Sequence, residues 1–281
     1  MVRVINPGIY STIQDLGRFG FQKFGVPISG VMDSYSAKLA NTILINDDND
    51  AVLEITIKGP ILEFQTETAI CISGADLSPK LNSVSIENNK PILIKKGNIL
   101  SFGKLNSGIR SYLAVLGGFQ TSLVMNSRSM YKNITEGNVI NKNDVLPINE
   151  NIEGFNFNSI SVDTNHLKSN VIEAYQGPEF NQLSDIEKKL LFSQKFSVSQ
   201  NNNRMAYQLN ELVSNNLKPI ITSLVLPGTV QLTPSGKLIV LMRDCQTTGG
   251  YPRVLQLSEQ GINTLAQKFT NDEIEFKLLS Q

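Results

Sequence analysis

Hydrophobic residues along most of the chain fall into short runs that glycine and proline interrupt. Residues 52–57 alternate between apolar and polar positions, and Gly59-Pro60 follows them. Similar runs recur at 61–64, 69–72, 92–94, 99–102, 112–116 and 238–242. Closely spaced apolar runs with such breaks are typical of antiparallel strands. The pattern therefore predicts a mainly β protein that forms barrels or sandwiches.

Three segments show helical spacing behind a capping residue instead. Asp33 precedes apolar residues at i, i+3 and i+7, and Ser258 precedes an apolar stripe that runs to Phe269. Ser184 is followed three positions later by Glu187, which is the pattern of a capping box. We predict a helix at each place, with its apolar stripe facing a core.

The two halves of the chain share a spacing of apolar residues. A shift of 168 positions pairs the runs within 52–72 with those within 220–240, and it pairs Asp76 with Asp244. Matching apolar periods are a weak signal alone, and the paired carboxylates strengthen it. We predict two related β-barrel lobes, over 1–150 and 171–281, that a polar junction over 151–170 connects. Each lobe would offer a carboxylate at an equivalent strand end.

Composition narrows the functional classes. The chain has 281 residues, enough for two domains with real cores, and its 25 basic and 25 acidic residues cancel. No long basic run is present, so nucleic acid is not an expected partner. No apolar run has the length of a membrane span or signal peptide, and the only cysteines are Cys71 and Cys245. We expect a cytoplasmic protein without disulfides or membrane contact.

The single histidine restricts the possible chemistry. His166 lies in the polar stretch 163–170, and we interpret it as a solvated loop residue. A Ser-His-Asp triad would have to use it, although nothing around it resembles a buried strand end. Multi-histidine and cysteine-rich zinc sites are excluded by the counts. We therefore predict no metal site and chemistry based on carboxylates, cations and hydroxyls.

The richest cluster of ligand-binding groups follows the apolar run 238–242. It comprises Asp244, Cys245, Gln246, Thr247, Thr248, Gly249, Gly250, Tyr251 and Pro252. Strand ends that pass into loops commonly carry binding groups. Without Cβ atoms, Gly249 and Gly250 would allow positive φ and close approach to a ligand. The same residue types also build ordinary tight turns, so a structural turn remains the alternative.

Other segments carry groups suited to an anion or a carbonyl. Residues 12–18 contain Gln14, Asp15 and Arg18, and residues 25–33 form a Gly/Pro loop with Ser29 that ends at Asp33. Backbone N–H groups at that helix start would bind an anion, whereas Asp33 would repel one and equally fits a plain cap.

Two further arginines could either bind a ligand or pair with a structural carboxylate. Arg128 stands between Ser127 and Ser129, and Arg204 follows Asn203. A guanidinium suits a phosphate or carboxylate ligand, and it suits a structural carboxylate equally.

These segments together resemble one family. The chain is similar to the C subunit of bacterial ATP-dependent 5-oxoprolinase, also called the allophanate hydrolase subunit 2 or biotin-dependent carboxyltransferase family. The resemblance covers almost the whole length. Its motifs are Thr12-Ile13-Gln14-Asp15-x-Gly17-Arg18, Gly25-Val26-Pro27-x-Ser29-Gly30-x-Met32-Asp33, Ala40-Asn41, Leu53-Glu54-Ile55-Thr56-x-x-Gly59-Pro60, Ser73-Gly74-Ala75-Asp76, Ser127-Arg128-Ser129 and Gln246-Thr247-Thr248-Gly249-Gly250-Tyr251-Pro252.

The resemblance implies a cyclophilin-like fold, A and B subunits as partners, and hydrolysis of the small anionic lactam 5-oxoproline to glutamate. ATP would be a co-substrate, bound with or by a partner subunit, because phosphorylating the lactam oxygen makes the ring open to attack. Such chemistry needs a cation, for which Arg128 or Arg18 is a candidate, and a carboxylate, for which Asp244 is a candidate. The expected substrate-binding residues are Gln14, Asp15, Arg18, Ser29, Asp33, Asp76, Ser127, Arg204, Gln246, Thr247, Thr248, Gly249, Gly250 and Tyr251.

The chain departs from the family pattern at several charged positions. Cys245 and Gln208 stand where arginines are usual, Asn203 replaces an aspartate, and Thr222-Ser223-Leu224 replaces Ser-Glu-Gly. We interpret Cys245 as a buried thiol and not a nucleophile.

Two alternative functions follow. One is the carboxyltransferase subunit of a biotin-dependent urea or amide carboxylase, which needs a biotinylated partner because this chain has no biotin attachment site. The other is a non-catalytic regulatory partner of the B subunit, which the lost charges favour.

Overall fold

The computed structural model describes residues 1–149, 157 and 161–280. The chain divides into two compact units. Unit 1 comprises Met1–Arg18 with Ser29–Leu167, and unit 2 comprises Phe19–Ile28 with Lys168–Gln281. The excursion Phe19–Ile28 groups with unit 2, which a linear division into 1–150 and 171–281 does not anticipate. The expected junction 151–170 lies partly outside the described residues.

Unit 1 contains two sheets. Its strands are β1 (Val2–Asn6), β2 (Tyr10–Gln14), β3 (Val52–Thr56), β4 (Ile61–Phe64), β5 (Thr68–Asp76), β6 (Lys80–Leu81), β7 (Val84–Ser85), β8 (Ile92–Ile94), β9 (Ile99–Ser101), β10 (Ser107–Val115) and β11 (Val145–Leu146). In the described part of the chain, six strands follow the order β11-β1-β4-β9-β6-β7 and five follow β2-β3-β10-β5-β8. Unit 1 is thus a pair of open sheets, and the prediction of a barrel in this half was wrong.

The five-stranded sheet is buried on both faces. Alternate side chains of β3, β5 and β10, such as Leu53, Ile70 and Leu113, pack in one core together with residues of the six-stranded sheet. The intervening side chains, among them Cys71 and Tyr112, join a second core with helix α1 (Ser34–Ile43). Burial on both faces explains the continuous apolar runs at 69–72 in β5 and 112–115 in β10.

Helix α1 begins where the sequence predicts. The Asp33 carboxylate accepts a hydrogen bond from the Ser36 backbone N–H at 3.0 Å and so caps the helix. A second helix, α2 (Asn165–Lys168), spans a single turn, and its last residue already belongs to unit 2.

Unit 2 is built around a closed barrel. Its strands are β12 (Val171–Gln176), β13 (Phe196–Asn202), β14 (Ala206–Leu212), β15 (Ser223–Leu224), β16 (Thr229–Leu232), β17 (Lys237–Leu241), β18 (Thr248–Gly249), β19 (Arg253–Leu257) and β20 (Glu273–Leu278). The barrel order among described residues is β12-β19-β16-β17-β14-β13-β20, and β15 pairs with β18 apart from it. The fold is therefore mainly β, and the cyclophilin-like assignment stays a prediction.

The inward positions of the barrel are apolar. Tyr207, Val230 and Val240 face one another through the strand register and are fully buried. Because side chains alternate along a strand, the neighbouring pair Gln208 and Ile239 lies on the outer face. This outer face of β14, β17 and β16 carries the cavity described below.

Two capped helices pack on the barrel, and short 3₁₀ turns occupy Gln22–Phe24 and Phe180–Gln182. Helix α3 (Asp185–Ser193) has the predicted capping box of Ser184 and Glu187. Helix α4 (Glu259–Leu265) begins at Ser258 as predicted, but it ends before Phe269, which is 37% exposed. Among the described residues, none of the helices has the length and apolarity needed to cross a bilayer.

Candidate functional site

Asp15 organises the segment at the end of β2. One carboxylate oxygen accepts from the Ser127 hydroxyl at 2.7 Å and from the Ser129 hydroxyl at 2.6 Å, and the Gly17 N–H donates to it at 2.9 Å. The other oxygen accepts from the Arg128 backbone N–H at 2.6 Å. We call these five residues the Asp15 cluster. Four donors to one buried carboxylate tie residues 15–17 to residues 127–129.

The two candidate cations of unit 1 bind carbonyl oxygens of their own chain. Arg18 is fully buried, and its guanidinium donates to the carbonyls of Val124 at 3.0 Å and Ser129 at 2.8 Å. Arg128 donates to the Thr121 carbonyl and, at 2.8 Å, to the side chain of Gln120. Both guanidinium groups therefore order the 120–129 loop, an alternative that the sequence reasoning did not consider.

Two other predicted residues of unit 1 carry buried polar atoms without partners. Gln14 donates to the Thr12 hydroxyl and the Met130 carbonyl, yet its side-chain oxygen has no hydrogen bond. The Ser29 hydroxyl also lacks a partner, and Ser29 adopts the left-handed conformation with φ 58°. Strained backbone and unsatisfied buried atoms concentrate at functional sites. These two positions remain candidates for contact with a ligand.

His166 is buried, and its prediction as a solvated loop residue was wrong. Its side chain is 3% exposed because the Asp33 carboxylate lies 2.9 Å from Nε2 and provides a partner. The Ser36 hydroxyl donates to the same carboxylate oxygen at 2.6 Å and lies 3.2 Å from the same ring nitrogen. A catalytic triad needs one ring nitrogen for the carboxylate and the other for the hydroxyl, so this arrangement is not a triad.

Asp33 and its neighbours close the start of helix α1. The Met32 N–H donates to Glu54 at 2.7 Å, and the Asp33 N–H donates to the Tyr112 hydroxyl at 2.8 Å. Burial raises the pKa of that Tyr112 hydroxyl well above 10, and the nearby carboxylates of Glu54 and Asp33 raise it further. Of the two interpretations of this segment, the structure shows the plain cap.

Asp76 ends β5 and holds a turn. Its carboxylate accepts from the Ser78 N–H at 2.8 Å and from the Asn106 amide at 2.9 Å. Asp244, which the shift of 168 positions pairs with Asp76, lies three residues beyond the end of β17 and is bonded differently. Nε and Nη2 of Arg204 donate to its two oxygens at 2.8 and 3.1 Å, and both side chains are at most 12% exposed.

The Gln246–Tyr251 loop departs from its expected backbone. Neither Gly249 nor Gly250 has a positive φ, and Gly249 pairs with Ser223 in the short β15–β18 ladder. A Cβ at Gly249 would lie 2.4 Å from Nε2 of Gln231. A larger residue there would push the Gln231 side-chain amide aside, so the glycine allows close packing, and the expectation of left-handed backbone was wrong.

A cavity of about 650 Å³ opens on the outer face of β14, β17 and β16. Carboxamide residues make up most of its lining: Gln200, Asn201, Asn202, Asn203, Gln208, Gln231 and Gln246. The remaining lining residues are Met205, Ala206, Ile239, Leu241 and Tyr251. We call this space the amide cavity. It contains Gln246 and Tyr251 of the predicted loop, whereas Thr247, Thr248, Gly249, Gly250 and the Arg204–Asp244 pair are not part of its lining.

Both cysteines are free, buried thiols, as predicted for Cys245. Burial raises the pKa of each thiol to about 12, and the Asp244 carboxylate adds to the effect at Cys245. Neither thiol forms a nucleophilic thiolate near neutral pH. Among the described residues, no three His, Cys, Asp or Glu side chains are arranged to hold a metal ion.

The sequence from residue 24 to residue 278 matches the family described as the carboxyltransferase domain, subdomain A and B. The chain belongs to this family. The C subunit of 5-oxoprolinase from Escherichia coli K12 is 32% identical over 286 residues, which cover 98% of this chain and 90% of that protein. Its counterpart in Haemophilus influenzae is 28% identical over 288 residues, covering 100% and 92%. The urea amidolyase of Lachancea kluyveri is 36% identical over 227 residues, covering 73% of this chain and 12% of that protein.

Solved structures align with nearly the whole chain. The crystal structure of TTHA0988 aligns with a TM-score of 0.89 at 26% identity, over 98% of this chain and 55% of that one. The Kluyveromyces lactis urea amidolyase aligns with a TM-score of 0.89 at 29% identity, over 99% of this chain and 19% of that one. The chain therefore spans about half the length, or less, of these solved relatives.

Sequence reasoning missed residues that the folded units make important. Gln231 lies in β16, where its apolar neighbours hide it among core positions, and only its polarity in a buried strand could have drawn attention to it. His166 is 133 residues from Asp33, so no local pattern connects them. The predicted convergence of the Arg18 and Tyr251 segments on one pocket stays a prediction.

Proposed function

We propose that this chain is the C subunit of an ATP-dependent 5-oxoprolinase that hydrolyses 5-oxo-L-proline to L-glutamate together with A and B subunits. The observation that carries the proposal is the share of each relative's own length that the similarity covers. The two relatives that are C subunits of 5-oxoprolinase match along 90% and 92% of their own length, whereas the urea amidolyase matches along 12%. The similarity thus extends over nearly all of a known subunit, but over only a small part of the larger enzyme.

The candidate cations of unit 1 do not fit a triphosphate grip within this chain. Arg18 and Arg128 already donate to carbonyl oxygens of the 120–129 loop, as described above. Binding phosphate through them would break hydrogen bonds that are buried or partly buried, and a buried carbonyl left without a partner costs about 1–3 kcal/mol. We therefore assign ATP to a partner subunit, and we derive no phosphoryl step from this chain.

The contribution of this chain would be to hold the lactam and manage a proton. The amide cavity supplies the space, with Gln246 and Tyr251 at its wall. Asp244 follows β17, and Arg204 orients its carboxylate through two charge-assisted bonds. For Asp244 to accept a proton from the water that attacks the activated ring, one of its oxygens must leave Arg204 and reach the cavity, whose lining does not include it.

The test is co-expression with the A and B subunits, followed by an assay of oxoproline-dependent ADP release. We expect Asp244→Asn to assemble normally and to lose about a hundredfold or more in turnover, the usual scale for a general base. Asp48→Asn, which changes a surface carboxylate that is 58% exposed, is the matched control and should keep its turnover. Wild-type turnover by Asp244→Asn would remove Asp244 from the mechanism. A complex that assembles but never turns over would favour the regulatory alternative.

A second candidate is the carboxyltransferase subunit of a biotin-dependent amide carboxylase. The family itself and the urea amidolyase relatives support it. The carboxamide lining of the amide cavity also favours it, because a neutral amide acceptor would match that lining. This chain would then need a biotinylated partner. Carboxylation of an amide by the complex, dependent on biotin and independent of oxoproline, would decide for this candidate.

A further inference from the structure

We propose that the amide cavity binds the carboxylate of 5-oxo-L-proline through neutral carboxamide donors, the side chains of Asn203 and Gln208. The inference rests on the proposed function, because it takes this cavity as the lactam site. Among the described residues that line the cavity, none is Lys, Arg or His. Recognition of the anion there must therefore come from uncharged donors.

Asn203 can only donate toward the cavity. Its side-chain Oδ1 accepts from the backbone N–H groups of Met205 at 2.7 Å and Ala206 at 3.2 Å. Because both of those groups are donors, the oxygen must face them, and the Nδ2 amino group points away from them. Asn203 is exposed in the cavity lining, and its Nδ2 forms no hydrogen bond within the described part of the chain. A carboxylate accepts hydrogen bonds and donates none, so it matches this group.

The turn that carries Asn203 is held in place by the chain itself. The Asn203 N–H donates to the Ala206 carbonyl at 3.0 Å, and the Asp244 N–H donates to the Arg204 carbonyl at 2.9 Å. The Arg204 guanidinium adds two bonds to the Asp244 carboxylate. A donor that is fixed before the ligand arrives loses little conformational freedom on binding. The Arg204–Asp244 pair thus supports the donor without lining the cavity.

Gln208 provides the second donor beside an apolar surface. It is half-buried on the outer face of β14, and its side chain forms no hydrogen bond within the described residues. Gln208 lies opposite Ile239 and Ala206 lies opposite Leu241, and all four line the cavity. Side chains directly opposite each other in an antiparallel pair lie about 5 Å apart. The lactam ring would cover Ile239 and Leu241 while the carboxylate on that ring reaches Gln208.

The exposure of the cavity wall makes a cation unnecessary. Gln200, Asn201 and Asn203 are all exposed, so a carboxylate bound beside them keeps part of its hydration. The cost of removing a charge from water is therefore smaller than in a closed, dry site. Hydrogen bonds to a charged acceptor are stronger than those to a neutral one. The same donors should thus bind a carboxylate more tightly than a carboxamide of equal size.

The first test compares two ligands of equal size. 5-Oxo-L-proline carries a carboxylate on its ring, and 5-oxo-L-prolinamide carries an uncharged amide at the same position. Isothermal titration of the full chain near neutral pH should show at least about tenfold tighter binding of 5-oxo-L-proline, or about 1.4 kcal/mol. Equal or tighter binding of 5-oxo-L-prolinamide would overturn the inference.

The second test reverses the donor at Asn203. Asn203→Asp keeps an oxygen for the two backbone N–H groups, so the turn should persist, but it replaces the amino group with a charged acceptor. Binding of 5-oxo-L-proline should weaken at least about tenfold, and 5-oxo-L-prolinamide should become the tighter ligand because its amide can donate to the new carboxylate. Asn216→Asp makes the same change at an exposed residue outside the lining and should keep the wild-type preference. A folded Asn203→Asp protein that keeps that preference, or binds neither ligand, would contradict the inference.

Gln208→Glu is the independent variant if Asn203→Asp fails to fold. It exchanges a donor for a charged acceptor at a strand position that faces outward, without changing the size of the side chain. The same reversal of preference is expected. An unchanged preference for 5-oxo-L-proline in this variant would show that the carboxylate binds elsewhere.

The inference and the proposed function fail separately. If the assembled complex hydrolyses 5-oxo-L-proline and Asn203→Asp leaves its KM unchanged, the proposed function stands and the carboxylate site is wrong. If the chain shows the expected preference and its reversal, but the complex hydrolyses no lactam, the carboxylate site stands and the proposed function is wrong. A chain that binds neither ligand, in a complex that still hydrolyses 5-oxo-L-proline, would place the substrate site elsewhere and end the inference alone.

Discussion

Buried acidic side chains in unit 1 accept hydrogen bonds from residues far away in the sequence. Asp15 and Asp33 are 3% and 0% exposed, and each joins two or more donors around one oxygen. Burying a carboxylate without such donors would cost several kcal/mol. The donors therefore offset the free-energy cost of burying these carboxylates. The carboxylates in turn hold in place the segments that supply the donors.

At this scale we predict that Asp15→Asn destabilises the protein by about 2–4 kcal/mol, because an amide N–H₂ would face donors where an oxygen now accepts. Urea unfolding followed by circular dichroism measures the change. The matched control is Asp48→Asn, whose side chain is 58% exposed and which should change the free energy of unfolding by less than about 0.5 kcal/mol. An Asp15→Asn variant as stable as the control would mean that the cluster does not hold unit 1 together.

Individual partners were the least predictable part of the site. The sequence identified Asp15, Ser127 and Arg128 as polar candidates, yet it gave no means of pairing residues 112 or more positions apart. The interpretation of His166 failed for the same reason, because its partner Asp33 is remote. A polar residue can be buried when a residue distant in the sequence forms a hydrogen bond with it. The composition of the local stretch does not show whether such a partner exists.

Element boundaries were much more predictable, since their signals are local. The caps at Asp33, Ser184 and Ser258 lie within three residues of the N–H groups that they bind. Propensity and capping act within one turn, so a single sequence contains the information. The end of α4 was harder to place because the apolar stripe continued to Phe269 after the helix had ended.

The contact between α4 and the barrel leads to a prediction at the scale of elements. A Cβ at Gly261 would lie 2.3 Å from the carbonyl oxygen of Glu173 in β12. Gly261→Ala should therefore displace the helix and cost about 1–3 kcal/mol, although alanine is the better helix former. Thermal unfolding measures the loss. Gly137→Ala, where the nearest atom is 3.8 Å away, should be nearly neutral, and equal effects of the two variants would contradict the packing argument.

A second element-scale prediction concerns the 3₁₀ turn Phe180–Gln182 and strand β19. Arg253 donates to Glu179 through Nε at 2.9 Å and Nη2 at 2.8 Å, and its backbone N–H donates at 2.8 Å. These hydrogen bonds hold the pKa of the Glu179 carboxyl below its usual 4.5, against a smaller opposing effect of burial. Because the folded pKa is the lower one, the stabilisation is complete above pH 4.5 and is lost as pH falls through the folded value.

We therefore expect the wild type to be more stable than Glu179→Gln at pH 7, by about 2 kcal/mol. The difference should shrink progressively as the pH is lowered below 4.5. Urea unfolding of both proteins between pH 7 and pH 3 provides the measurement. A difference that stays constant across this range would show that the charge of Glu179 contributes nothing to the contact.

For the whole molecule, the sequence predicted that strands predominate, but it did not predict which strands close into a barrel. Alternating apolar positions predicted the strands of both halves, and the structure confirms a mainly β fold. Whether strands form open sheets or a barrel depends on which distant edges meet, as in the parallel pairing of β12 with β20 across about 100 residues. The assignment of Phe19–Ile28 to unit 2 is equally non-local. The apolar spacing that the two halves share thus accompanies two different sheet arrangements.

Because each unit has its own core, a destabilising substitution in one unit should promote local unfolding of that unit only. Unit 1 has its own buried clusters around Leu53 and Ala40, and unit 2 has its own barrel interior around Tyr207 and Val230. Local unfolding follows such cooperative units. In amide hydrogen exchange, Asp15→Asn should accelerate exchange in β2, β3 and β10, and Gly261→Ala should accelerate it in β12 and β19. If either variant accelerates exchange equally in both sets of strands, the chain unfolds as one cooperative body and the two effects on stability will not be independent.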